Sequence, residues 1–429
     1  MRKLLLATTA LFGSVAFIGA AHASPAPASP ITLNVGGYVD FVAGFYHESQ
    51  GMDPTGSNTS RDFEDEFKVN FDAMGKAANG MQYGANVSLW NGPEAGNLWQ
   101  GGGNSVEMNS AYVWLSGAFG KLLLGDAHGA SDLFVYAPTV GEGQVDGRFY
   151  DFTSALTLAR FYGSGIDNTE HSTNITYYTP KVGNDSNKVQ LGITYEPNMY
   201  NYGSSVIKSN TGISGLGAPS LSALSGRTVS PYQDIVKGDV EYTGNFHPVN
   251  VAISGQIITG SASKTAESAT LLGFNAPTLS GIATGQGTAE DFTAFGLGTQ
   301  IGFDGFTVGG SVNDMGHYMA VHGQDKNQRD FTLGGKYEFD KVAVGASWLS
   351  GEGYDNLLGS TGNTFTGITA TTENTNYVSS FNAYSVGAAY TWFPGLTSNA
   401  DAVLFNQDVR NQNDHNDGYV LLISQKMTF

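Results

Sequence analysis

Apolar and polar residues alternate with a period of two along much of this chain. Ile31, Leu33, Val35, Val39, Phe41 and Phe45 fall on one side of a strand, against Asn34, Tyr38 and Asp40. Met81, Tyr83, Ala85, Val87 and Leu89 oppose Gln82, Asn86 and Ser88, and Val249, Val251, Ile253 and Ile257 oppose Asn250, Ser254 and Gln256. Phe331, Leu333, Tyr337 and Phe339 alternate in the same way with Asp330, Thr332, Lys336 and Glu338. Successive side chains of a strand point to opposite faces, so each run is a strand with one apolar and one polar side; a helical period fits none of them.

Sixteen such strands are predicted, near 31–46, 63–75, 80–91, 106–116, 120–126, 172–180, 189–197, 232–246, 249–260, 291–303, 306–314, 329–339, 342–350, 381–393, 397–409 and 418–429. Short turns fall at Ala77–Asn79, Gly117–Phe119, His247–Pro248, Asp304–Gly305, Asp340–Lys341 and Pro394–Leu396. Longer polar loops lie between them, notably 198–231, 261–290 and 351–380. Alternation of short with long connections is the pattern of an up-and-down barrel, with short turns on one side of a membrane and long loops on the other. A soluble Greek-key sandwich has no reason to sort its loops by length.

The last strand sharpens this reading. Tyr419, Leu421, Ile423, Met427 and Phe429 share a face broken only by Gln425, while Ser424, Lys426 and Thr428 occupy the other. An apolar strand left exposed to water would invite aggregation; facing lipid, it closes a membrane barrel. Aromatics gather near predicted strand ends, at Tyr112, Trp114, Trp348, Tyr390, Trp392, Tyr419 and Phe429, as rings at membrane–water boundaries do. The expected fold is therefore all-β, a transmembrane sixteen-stranded antiparallel up-and-down β-barrel.

Other features narrow the setting. Arg2 and Lys3 precede an apolar run from Leu4 to Ala21, and Ala21-His22-Ala23 has the form of a cleavage site, so residues 1–23 read as a secretory signal peptide and 24–429 as one barrel domain. No other stretch approaches the roughly 18 apolar residues of a membrane helix. The chain has no cysteine, which removes thiol chemistry, and its 58 Gly, 21 Tyr and 25 Phe suit strands and turns. Loss of Arg2 and Lys3 takes the formal charge from −18 to −20. Such acidity argues against nucleic acid and favours a cation-attracting surface or lumen.

A family resemblance enters at Val106–Asp126, VEMNSAYVWLSGAFGKLLLGD. It resembles the motif of Gram-negative general porins in which an Ala-Tyr-x-x-Leu-(Ser/Ala)-Gly strand meets Phe-Gly-x-x-x-Leu-Gly across a turn. The hairpin from Phe63 to Tyr83, the run Asn174-Ile175-Thr176-Tyr177-Tyr178-Thr179-Pro180, and the terminal Phe429, which matches the family's assembly signal, are similar as well. The resemblance implies an outer-membrane channel for passive diffusion of small hydrophilic solutes and ions, a homotrimer, and contact with membrane lipid and lipopolysaccharide. It also implies that the third external loop, 127–170, folds inward as a constriction.

That constriction would comprise Asp126, Asp132, Glu142, Asp146 and Asp151 with Arg148 and Arg160. Asp126 stands where the family usually has arginine, and Glu170 and His171 stand where the strand after the loop commonly begins with another. On the alternating registers Asp40, Glu64, Glu66, Asp72, Glu196, Asp239, Glu241 and Glu338 point inward, against Lys68, Lys237, Lys336 and Lys426. This excess of carboxylates, with the family's cationic positions altered, predicts a modest preference for cations. The alternatives are a solute-specific porin for sugars or carboxylates, which would need a continuous line of lumen aromatics or a dense basic patch, and a plugged structural or adhesive barrel.

Catalytic constellations are weak. The chain has no Gly-x-Ser-x-Gly elbow, Walker loop or His-Glu-x-x-His, and its eight histidines are scattered, so no enzyme activity, cofactor or metal centre is expected. The acidic clusters Asp62-Phe63-Glu64-Asp65-Glu66 and Asn413-Asp414-His415-Asn416-Asp417 carry oxygen ligands for divalent cations bridging to lipopolysaccharide, but neither has the spacing of a calcium loop.

Overall fold

A computed structural model describes residues 29–49, 60–91, 106–153, 161, 163–166, 172–199, 232–262, 291–318, 328–354, 377–409 and 414–429. The expected segment 1–23 and most of the long loops lie outside these residues. The strands are β1 (Ser29–Glu48), β2 (Arg61–Lys76), β3 (Gln82–Trp90), β4 (Glu107–Gly117), β5 (Gly120–Asp126), β6 (Thr173–Tyr178), β7 (Val182–Gly183), β8 (Asn187–Asn198) and β9 (Tyr232–Phe246). They continue as β10 (Val249–Ala262), β11 (Phe292–Phe303), β12 (Phe306–Gly316), β13 (Gln328–Phe339), β14 (Val342–Tyr354), β15 (Tyr377–Phe393), β16 (Leu396–Val409) and β17 (Asp414–Thr428).

β6 and β7 are two pieces of one barrel strand. Both pair with β8, and the interruption contains Pro180, which has no N–H to give a ladder. With that pair counted once, the sixteen predicted strands are all present. Each is antiparallel to its neighbours, and β1 pairs with both β2 and β17, so the sheet closes. At the seam Tyr38 opposes Thr428, and the backbones of Gly37 and Phe429 exchange hydrogen bonds of 2.9 and 3.0 Å.

Chemistry explains the turns. Asp304 and Gly305 both take positive φ, 47° and 81°, which is the backbone of a two-residue hairpin turn whose twist matches its strands. A further short turn, at 184–186, was not foreseen. At the opposite end β14 and β15 rise further than expected, into the range assigned to the loop 351–380.

Alternation sorts the side chains as predicted along most strands. On β17 the outward Ile423 is 58% exposed and the terminal Phe429 56%, apolar surface that requires a hydrocarbon setting. Trp348 and Tyr384 stack outward at 6.2 Å, and Tyr390 and Trp392 meet edge to face at 4.7 Å. Two expectations need correction. Tyr112 and Trp114 belong to no outer belt: they pack against buried Leu123, Leu133 and Tyr178 inside the barrel. Nor is the inner side of β17 mainly polar, because Val420 and Leu422 face inward and are completely covered. What covers them is the segment after β5.

We expect deletion of Phe429, or its replacement by Asp, to reduce the yield of folded, heat-resistant protein in membranes sharply, since it removes an outward anchor and the last bonds of the seam. Unchanged yield on unheated electrophoresis would count against this account of closure.

Candidate functional site

The segment following β5 occupies the interior. Its short 3-10 turns, Gly129–Leu133 and Arg148–Phe152, are linked by irregular chain that runs along the inner wall. Inward polar side chains of successive strands hold its backbone. The amide of Ala130 donates to Thr194 Oγ1 on β8 (2.8 Å), and that of Val135 to Ser254 Oγ on β10 (2.7 Å). Gln300 on β11 donates to the Tyr136 carbonyl (2.7 Å), Ser311 on β12 to that of Gly163 (2.8 Å), and Asp401 on β16 accepts from the Glu142 amide (3.0 Å). Buried peptide groups away from water need such partners.

Glycine makes room for this approach. A methyl group at Gly298 on β11 would overlap the Val135 carbonyl, and one at Gly387 on β15 would overlap that of Val140. At the far end Phe149, Tyr150, Phe152 and Phe161 bury themselves against Val42, Leu349, Phe381, Val403, Phe405, Val420 and Leu422. Tetrapeptide Val420-Leu421-Leu422-Ile423, apolar on both faces, was the signal in the sequence for something packed inside.

Four carboxylates and two cations meet beside this apolar anchor. Arg148 reaches Asp40 (3.3 Å), Glu64 (2.9 Å) and Glu66 (3.2 Å) on β1 and β2. Lys426 on β17 bridges Glu142 (3.2 Å) and Asp40 (3.8 Å), with its ammonium 4.5 Å from the centre of the Tyr38 ring. Tyr38 and Trp90 both donate to Glu66, the indole at 2.9 Å. Burial opposes the charge on Arg148, but Glu64, Glu66 and Asp40 outweigh it and hold the guanidinium above its ordinary pKa. Asp40 Oδ1 and Glu64 Oε2 have no hydrogen-bond partner among the described residues.

The remaining site candidates lie elsewhere. Asp146 accepts from Ser164, Asp151 is exposed, and Asp126 accepts from Thr173 Oγ1 at 2.5 Å. Asp132 accepts from Tyr178 at 3.3 Å and shares a recess of about 400 Å³ with Lys68 and Asp72. Lys237 pairs with Glu196 at 3.8 Å, with Asp239 buried on the same inner face of β9. Glu241 takes Lys181 at 3.5 Å, and Lys336 takes Glu338 at 2.8 Å near the short-turn end. Arg160 lies outside the described residues.

The sequence reading placed Asp330 on the polar face of its strand but left it out of the tally of inward charges, and it did not single out Asp401 or Lys181. Asp330 and Asp401 keep the parity of the polar residues around them, which would have added both to that tally. Lys181 sits beside the break at Pro180, where parity fails. Alternation also dismantles the two acidic clusters. Glu64 and Glu66 face Arg148 while Asp65 turns outward, and His415 bonds Asp408 (2.7 Å) and Asp417 (3.3 Å) while Asn416 turns to Glu48 (3.0 Å). Among the described residues no three His, Cys, Asp or Glu side chains are arranged to hold a metal ion.

A closed sheet with an apolar exterior and a charged interior defines a transmembrane β-barrel channel. The chain belongs to the Gram-negative porin family, whose model matches residues 7–412. It is thus a channel of the outer membrane for passive diffusion. No curated protein matches the chain. Among solved structures it is similar in fold to the outer membrane channel DcaP of Acinetobacter baumannii, with 12% identity over 93% of this chain and 97% of that one and a TM-score of 0.54. The anion-selective porin from Comamonas acidovorans is 12% identical over 93% and 100% of the two chains, at 0.54. The trimer form of in-vitro folded OmpT from Vibrio cholerae is 12% identical over 94% and 100%, at 0.53.

Arg148→Met would leave three wall carboxylates without their common partner, and breaking such a buried pair costs about 3–5 kcal/mol. We expect the loop to loosen, seen as new protease cleavage between 127 and 166 in the folded protein. Wild-type resistance would mean that the apolar anchor alone seats it.

Proposed function

We propose that the loop 127–170 narrows the channel, that the narrowed path favours cations, and that the protein works as a homotrimer in contact with lipid and lipopolysaccharide. The observation carrying the selectivity is the cluster of Asp40, Glu64, Glu66 and Glu142 around Arg148 and Lys426, four anions against two cations. A water-filled lumen needs no catalysis to pass small hydrophilic solutes; side chains at the narrow point set size and charge limits. Charges beyond a Debye length, about 8 Å at physiological ionic strength, are screened, so the inner carboxylates outweigh those of the outer loops.

In this reading Asp126, Asp132, Glu142, Asp146 and Asp151, with Arg148 and Arg160, belong to the constriction in unequal roles. Arg148 is a tether, Glu142 is half neutralised by Lys426, and the exposed Asp151 meets passing ions most directly. The trimeric relative supports the assembly.

In planar bilayers under a KCl gradient, the reversal potential should report modest preference for K⁺, weakening as salt rises. Glu142→Gln, Asp146→Asn and Asp151→Asn together should move the permeability ratio towards unity. Anion preference in the unmodified protein would overturn the claim, and an unchanged ratio in the triple variant would shift the filter to the wall carboxylates.

Shortening the segment from Ser131 to Phe152 should raise conductance and admit larger solutes. An unaltered exclusion limit would place the narrowest point elsewhere.

A further inference from the structure

Between Val140 and Arg148 the loop folds into a tight turn closed on itself. The Arg148 amide donates to the Glu142 carbonyl (2.7 Å), that of Gly147 to the Gln144 carbonyl (3.0 Å), and that of Val140 to Gln144 Oε1 (2.8 Å). Within it Val145 takes φ 59°, a left-handed backbone that a β-branched residue adopts only where its surroundings impose it. Glu142 and Arg148, the two loop charges that meet the wall cluster, sit where this turn closes. Where the turn rests therefore fixes where both charges stand.

One wall carboxylate lies against its base. Asp401 on β16 accepts from the Glu142 amide (3.0 Å), and the Gly143 amide interacts with the same carboxylate. Successive amides that point at one place form a concavity suited to an anion. Two glycines leave room for it. A methyl group on Gly141, or on Gly387, the cross-strand neighbour of Asp401 on β15, would overlap Asp401 Oδ1. On the other flank stands buried Leu422. A second wall contact, from the Val145 amide to Ser347 Oγ on β14, is longer at 3.3 Å. Asp401 is only 6% exposed, so passing ions hardly meet it, whereas Glu142 is partly open to them.

We propose that Asp401 is a positioning residue for ion selectivity: by holding the amides of Glu142 and Gly143, it fixes the Glu142 carboxylate at the narrow point. The assignment rests on the reading of the loop as a constriction to whose charge Glu142 contributes.

The test is the ratio of K⁺ to Cl⁻ permeability of the purified oligomer in planar bilayers. Asp401→Ala removes the acceptor and should cut the excess of this ratio over unity by roughly half or more, as should Glu142→Gln. Asp401→Asn loses the charge but keeps an oxygen for the amide, and should hold most of the wild-type ratio. It is the deciding variant if the alanine protein fails to assemble. In a Glu142→Gln background, Asp401→Ala should move the ratio little further, because both changes act on one group. A shift in Asp401→Asn as large as that of Glu142→Gln would mean that Asp401 acts through its own charge. A full further shift in the Glu142→Gln background would mean that it acts on something else. Either result overturns the assignment. A wild-type ratio in Asp401→Ala, with Glu142→Gln shifted, overturns this inference alone; an unshifted Glu142→Gln overturns the role of Glu142 in selectivity as well.

Discussion

A peptide group in hydrocarbon has no water to bond, and each one left unpaired costs several kcal/mol. Every strand of a membrane sheet must therefore have two neighbours, and the sheet must close. In this chain the requirement falls on β1, which pairs with β2 along one edge and β17 along the other, joining residues nearly 400 positions apart. The remaining architecture follows from that ring. Outer side chains are apolar because they meet lipid, inner ones are free to be polar, and connections must alternate between the two rims.

Closure creates an interior, and this interior is neither empty nor uniformly wet. The segment after β5 is seated by three kinds of contact: wall hydroxyls, amides and a carboxylate that satisfy its backbone, glycines that let it approach, and an apolar anchor around Phe149, Phe152 and Phe161. Each has a strand-borne partner at the proper height. The ring therefore serves as a rigid frame for a segment too irregular to hold itself.

Electrostatics divides along the same lines. Lys181 with Glu241 and Lys336 with Glu338 pair one to one, and Lys237 offsets Glu196. The cluster around Arg148 does not balance in this way, because four carboxylates share two cations there. A net charge held in a confined, weakly screened space acts on passing ions far more than the same charge on an outer loop.

The strands were legible because their signal is local: alternation needs only the neighbours in the chain and a one-sided environment, and both hold for β1, β10, β13 and the outer face of β17. Turn chemistry was legible for the same reason at Asp304-Gly305. Inward pointing of Asp40, Glu64, Glu66 and Lys426 followed from parity alone. Their meeting with Arg148, 108 residues beyond Asp40, did not, since it depends on the path of a loop with no period. The inward turn of Tyr112 and Trp114 was missed because aromatic rings suit lipid boundaries and packed interiors equally, and residue type cannot separate the two. Along most strands, sequence by itself determined which residues face in and which face out, a consequence of backbone geometry. Tertiary structure decided which inward residues touch, because that depends on ring closure and on where the loop comes to rest.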